Sequence, residues 1–162
     1  MERSKSIEIA RLVASIIICQ GAGLIGSIFT TPAIPTWYAA LRKPFFRPPN
    51  WLFAPVWITL FTLMGVSAFL VWRKGLSDPQ VKVALSIFLV QLLLNTLWSV
   101  VFFGLRSPLG GLIVISILWV AILLTILNFF KTSMTAGLLL VPYILWVSFA
   151  AVLNLFIWRL NS

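Results

Sequence analysis

Five apolar runs dominate the chain: roughly Ile7–Phe29, Trp51–Trp72, Val81–Phe103, Leu109–Phe130 and Met134–Ile157. Each holds about 20 residues, enough for an α-helix to cross a hydrocarbon core about 30 Å thick. Inside such a core the backbone finds no water, so only a helix or a closed barrel satisfies its amides and carbonyls. The runs are continuous and lack the period-two alternation of a barrel strand. Composition agrees, because 61% of the 162 residues are hydrophobic, 9% are charged and mean hydropathy is +1.08. A water-soluble domain of this size needs far more polar surface. The sequence therefore predicts an all-α, multi-pass integral membrane protein, one domain over 1–162 with five spanning helices and a long first loop over 30–50. The basic start (Arg3, Lys5, Arg11) also suits a signal peptide, but the apolar run that follows is long for one and shows no clear cleavage site.

The net charge of +9 raises the question of nucleic acid. The cations are spread over helix ends and short connections instead of gathering on one polar face, so no nucleic-acid partner is expected. With only Glu2, Glu8 and Asp78 to offset them, they read as anchors to membrane lipid headgroups. The membrane side of the N-terminus carries Arg3, Lys5, Arg11, Arg73, Lys74, Lys82 and Lys131, against Arg42, Lys43, Arg47, Arg106 and Arg159 opposite. That small excess points to a cytoplasmic N-terminus. The lone Cys19 reads as a small apolar packing residue.

Histidine is absent, and the three acidic residues, Glu2, Glu8 and Asp78, all lie at segment ends. General acid–base pairs, imidazole or carboxylate metal sites, Ser-His-Asp triads and intramembrane proton relays thus lack their parts. No catalytic and no metal-ligating residue is assigned, and an enzyme is not the expected reading. Aromatic and amide chemistry remains. Trp37, Tyr38, Trp51, Trp72 and Trp158 lie near span ends, where aromatic belts form. Trp57, Trp98, Trp119 and Trp146 lie deep inside their spans, where an indole N–H needs a partner or a polar cavity. Helical spacing puts Gln91, Asn95, Trp98 and Phe102 on one face, and Trp57, Phe61, Met64 and Ala68 on another. In the fifth span Trp146, Ala150 and Leu153 share a face with Asn154 beside it. Such stripes serve interhelical packing, or they wall a pocket with apolar sides and a few orienting polar groups.

Between the first two spans runs WYAALRKPFFRPPNW, Trp37 to Trp51, rich in rings, cations and prolines. A connection of about twenty residues in a compact bundle suggests a lid or binding loop. Thr36–Arg42 is expected to form a short helical turn before Pro44, with Trp37, Tyr38, Phe45 and Phe46 covering one mouth of the bundle. The loop cations Arg42, Lys43 and Arg47 would then face headgroups or an anionic ligand.

The run WYAALRKPFFRPPNWLFAPVWITLFTLMG, with LNTLWSVVFFGLRSPLGGL and LLVPYILWVSFAAVLNLFIWRLN, resembles the TspO/MBR family, the tryptophan-rich sensory and translocator proteins also called peripheral-type benzodiazepine receptors. The resemblance spans nearly the whole chain. It implies a five-helix membrane bundle that binds porphyrins such as protoporphyrin IX or haem, and also sterols and benzodiazepine-type ligands, in a pocket beneath the first loop. Tetrapyrrole is the expected ligand, with no obligatory cofactor. By motif, Tyr38, Trp57, Asn95, Trp146 and Ala150 match the family's pocket positions; Phe61, Trp98 and Phe102 join them by helical spacing. The sterol motif is incomplete, because Val152–Arg159 reads VLNLFIWR and lacks its tyrosine. Sensing, regulation or transport is the implied role; light-dependent porphyrin breakdown with Trp57 and Trp146 as redox partners, and oligomeric scaffolding, are the alternatives. The small-residue pairs Ala22/Gly26 and Gly23/Ser27 permit close helix approach, and the family forms homodimers.

Overall fold

The computed structural model describes residues 1–162 and is built from helices alone. α1 spans Glu2–Ala33 and continues through a π-helical turn, Ile34–Tyr38. α2 is Asn50–Trp72, and α3 is Pro79–Ser99, extended by a second π-turn, Val100–Gly104. α4 is Pro108–Phe130, the short α5 is Met134–Leu139 and α6 is Val141–Asn161. Together they supply five segments long and apolar enough to cross a membrane: Glu2–Tyr38, Asn50–Trp72, Pro79–Gly104, Pro108–Phe130 and Met134–Asn161. The protein is a multi-pass integral membrane protein.

Local chemistry sets several boundaries. Asp78 and Ser107 each precede a proline and accept a hydrogen bond from the backbone amide of Gln80 and Gly110, both at 2.9 Å. A side-chain acceptor at the N-cap, followed by a proline whose missing N–H costs nothing there, is a strong helix start. Ser133 caps α5 in the same way at 3.3 Å. Gly75, with φ of 108°, turns the chain between α2 and α3, a backbone region that only glycine enters freely.

Two expectations change. The first helix does not stop near Phe29; it runs on to Tyr38, and the connection shortens accordingly. Pro32 and Pro35 are absorbed because the Thr36 hydroxyl donates to the Pro32 carbonyl at 2.8 Å, and the Ala39 amide reaches back to Ile34 across the π-turn. A widened turn and an added side-chain bond thus carry the helix past two prolines that cannot donate to it. The helical turn expected over Thr36–Arg42 as a separate lid is therefore mostly the end of α1. The fifth span is likewise two helices, interrupted at Leu140 just before Pro142.

The packing order positions the site. α1 lies against α2 and α3, α3 against α4, α4 against α6, and α2 against α5. Gly65 brings α2 hard against α1: an added Cβ would sit 2.6 Å from the Ile16 Cα. On the other side of α2, the Ser67 hydroxyl donates to the Ala136 carbonyl in α5 at 2.6 Å. α2 is thus held at its C-terminal half by both α1 and α5. Its N-terminal half is tied to α1 by Gln20, whose amide donates to the Ile58 carbonyl at 3.0 Å and the Thr62 hydroxyl at 2.9 Å, and meets α6 through rings, Phe53 on Trp146 and Trp57 on Tyr143. The space left there is the cavity described below.

Because the Gly65 neighbour is backbone and cannot step aside, Gly65→Ala is expected to destabilise the bundle by about 1–3 kcal/mol. Gly21→Ala, where an added Cβ meets nothing within 4 Å, is the matched control. Thermal unfolding of the two variants in detergent measures the difference.

Candidate functional site

A cavity of about 230 Å³ lies between α1, α2, α3 and α6 in the membrane half nearer the first loop. All eight residues expected at a ligand site line it: Tyr38, Trp57, Phe61, Asn95, Trp98, Phe102, Trp146 and Ala150. Each comes from a different register of its helix. Tyr38 descends from the π-turn closing α1 and is buried; Phe102 and Phe103 come from the π-turn closing α3. A π-turn shifts the side-chain direction of the residues beyond it, so both turns set where aromatic rings enter the cavity.

The rings around the cavity fall into three groups. Trp98 stacks on Phe102 at 5.1 Å between centroids, and Trp37 meets Phe102 edge-on at 5.5 Å from the loop side. Trp57 lies 5.6 Å from Phe61, and Phe53 meets Trp146 edge-on at 6.0 Å. Such pairings are each worth about 0.5–1.5 kcal/mol beyond burial and hold the rings in place.

Below the rings runs a buried polar chain. The Asn95 side-chain amide donates to the Tyr143 hydroxyl at 2.7 Å, which donates to Gln91 Oε1 at 2.8 Å. With its N–H engaged, Asn95 presents Oδ1 at the cavity wall without a protein donor. The deep indoles divide into two kinds. Trp98 Nε1 donates to Asn154 Oδ1 at 3.0 Å, while Asn154 Nδ2 donates to the Pro108 carbonyl at 2.8 Å. Trp119 Nε1 donates to Ser148 Oγ at 2.8 Å, away from the cavity. Trp146 Nε1 is buried with no partner. Trp57 and the Tyr38 hydroxyl likewise make no hydrogen bond to protein through their polar atoms.

Some expectations do not map onto the cavity. Met64 and Gln91 share faces with site residues yet lie deeper in the core, and Ala68 lines a separate groove. The three loop cations do not line the cavity. Lys43 Nζ donates to the carbonyls of Tyr38 at 2.7 Å and Leu41 at 2.9 Å and sits 4.7 Å above the Tyr38 ring. It completes the end of α1, so its ammonium is not free to meet a ligand. Burial, and then the nearby Arg47 charge, hold its pKa below the ordinary lysine value. Arg42 holds the loop through its backbone, exchanging hydrogen bonds with the Asn161 side chain at 2.9 and 2.8 Å. The Arg42 and Arg47 side chains are exposed and unpaired. Phe46 packs on Phe149 and Phe156, but Phe45, expected to help cover the mouth, is 99% exposed.

The α1 wall was not foreseen as part of the site. Ala22, Gly23, Gly26 and Ser27 line the cavity, although their spacing reads equally as a contact between copies. Gly23 already touches Phe61, and Gly26 faces Ser99. Thr31, Asn50 and Ala54 also belong to the lining and are exposed. The cavity therefore opens sideways, where the C-terminal part of α1 and the start of α2 diverge. A stripe of small residues with two threonines was the available signal.

Five spanning helices around an aromatic, amide-bearing internal cavity define a multi-pass membrane protein with a pocket inside its helix bundle. Residues 15–159 match the family model described as the TspO/MBR family. The chain is 46% identical over 157 residues to the tryptophan-rich protein TspO of Archaeoglobus fulgidus, covering 96% of this chain and 100% of that one. It is 40% identical over 145 residues to protein CrtK of Rhodobacter capsulatus, 90% and 89% of the two chains. Against the human translocator protein it is 37% identical over 139 residues, 85% and 82%. The chain belongs to the TspO/MBR family.

Tyr143→Phe would leave the Asn95 N–H and Gln91 Oε1 without their shared partner inside a dry core. A loss of about 1–3 kcal/mol is expected, measured as a lowered thermal midpoint.

Proposed function

We propose that this protein binds a flat, hydrophobic small molecule, a tetrapyrrole such as protoporphyrin IX or haem, and acts through that binding as a membrane sensor or regulator. The observation that supports the reading most is the convergence of aromatic faces with four polar groups on lining residues that have no protein partner: the Tyr38 hydroxyl, Trp57 Nε1, Trp146 Nε1 and Asn95 Oδ1. A few fixed polar groups in an apolar hollow orient a ligand more than they stabilise the fold. One relative, 38% identical over 125 residues, is named the tryptophan-rich sensory protein of Cereibacter sphaeroides, which supports the sensory part of this reading.

The cavity volume of about 230 Å³ is below the roughly 300–1,000 Å³ of pockets that enclose drug-sized ligands. A macrocycle is accordingly taken edge-first through the gap beside Thr31, Asn50 and Ala54, widening it. The inserted edge meets Trp57, Trp98 and Trp146. Its carboxylates remain toward the loop, where Arg42 and Arg47 are the cations free to pair with them.

Titration of the purified protein with protoporphyrin IX is expected to quench tryptophan fluorescence saturably. Ala150→Phe, which fills the cavity, and Trp57→Ala, which removes a wall, should each weaken binding tenfold or more. Arg42→Gln with Arg47→Gln should weaken the dicarboxylic porphyrin and leave its dimethyl ester unaffected. Unchanged affinity in both cavity variants would overturn the assignment.

A further inference from the structure

A second hollow lies on the outside of the bundle, toward the opposite membrane face. It has a volume of about 130 Å³ and is walled by Ile18, Trp72, Leu85, Phe88 and Leu89, over a floor of Ser15, Cys19 and Ala68. Three helices contribute stretches at one depth, 15–19 of α1, 68–72 of α2 and 85–89 of α3. Four helical steps make it about 6 Å long. It is shared with none of the residues of the cavity described above. Ile18 and Leu89 are exposed on its rim, so it faces the bilayer.

The charge around its outer end says what fills it. Arg11 stands one turn before Ser15 and shares a face with Ser15 and Ile18; Lys82 stands one turn before Leu85 and shares a face with Leu85 and Leu89. Both cations therefore sit directly above groove walls, at the membrane-surface end of α1 and α3. The Arg11 guanidinium lies over the ring of Trp72, itself a groove wall, at 5.6 Å. Neither cation has a carboxylate partner; the one ion pair of the chain joins the neighbouring Glu8 and Arg73 at 3.2 Å, which neutralises the nearby acid. Two unpaired cations over an apolar slot, at the level where headgroups lie, complement a molecule with a negative head and a hydrocarbon tail.

We propose that this groove is a binding site for one anionic phospholipid, its phosphate held between Arg11 and Lys82 and the upper part of one acyl chain lying against Trp72, Leu85 and Leu89. The site is distinct from the porphyrin cavity and does not depend on that assignment.

Native mass spectrometry of the full-length protein, released from detergent after titration with phosphatidylglycerol or phosphatidylcholine of identical chains, tests it. One phosphatidylglycerol is expected to be retained in preference to phosphatidylcholine. Loss of a cation should lower its affinity about fivefold, so Arg11→Gln with Lys82→Gln should abolish the preference. Arg11→Lys should keep it, and Arg3→Gln with Lys5→Gln should leave it unchanged. Ala68→Leu, which fills the floor, should reduce retention of both lipids, with the thermal midpoint reporting whether the bundle is intact. Equal retention of the two lipids by the unaltered protein would overturn the proposal. So would a loss in the Arg3/Lys5 variant as large as in the Arg11/Lys82 variant.

Discussion

Everything about the cavity depends on α2 being held on two opposite faces at one end only. Gly65 gives up a side chain so that α1 can approach backbone to backbone, and two residues later Ser67 donates to a carbonyl of α5. In a lipid solvent hydrophobicity draws no helix toward another, so close approach and interhelical hydrogen bonds decide geometry. With its C-terminal half pinned, α2 leaves its N-terminal half apart from α6. Phe53 meets Trp146 and Trp57 meets Tyr143 across that gap, and Phe61 lines it. The hollow is a consequence of asymmetric closure.

Polar groups inside the bundle divide by whether their partners are already present. Trp98, Trp119, Asn154, Tyr143 and Gln91 are bonded across helices, and they knit the bundle together. Among the lining residues, the polar atoms of Tyr38, Trp57 and Trp146 and one side of Asn95 are left unbonded. This division separates the two meanings that a buried tryptophan or amide carries in a sequence, packing and recognition. The same logic applies to the loop cations: Lys43 is consumed in ending α1, which leaves Arg42 and Arg47 for anything arriving at the mouth.

The five spans were legible because hydrocarbon demands length and continuity of apolar residues, and the chain supplies both. Seven of the eight residues expected at a site, all but Tyr38, were legible as inward-facing because each inner helix face repeats at the helical period and carries its aromatic and amide groups together. The end of α1 was not. Pro32 and Pro35 look like stops, and only the Thr36 hydroxyl and a π-turn, which depend on local three-dimensional fit, carry the helix through to Tyr38. Nor was the role of Ala22, Gly23, Gly26 and Ser27, since small residues permit close approach by a neighbouring helix, a second copy or a ligand alike.

By itself, then, the sequence determined that the chain lives in a membrane as five helices, and which helix faces turn inward, because burial in lipid leaves no other way to satisfy a backbone. Tertiary structure alone decided that these faces surround an opening instead of meeting, which indoles keep a free N–H, and where the wall is breached toward the bilayer. Those outcomes turn on contacts of a few ångströms between residues far apart in the chain, such as Gly65 with Ile16 and Asn95 with Tyr143. Periodicity along a single helix carries no information about them.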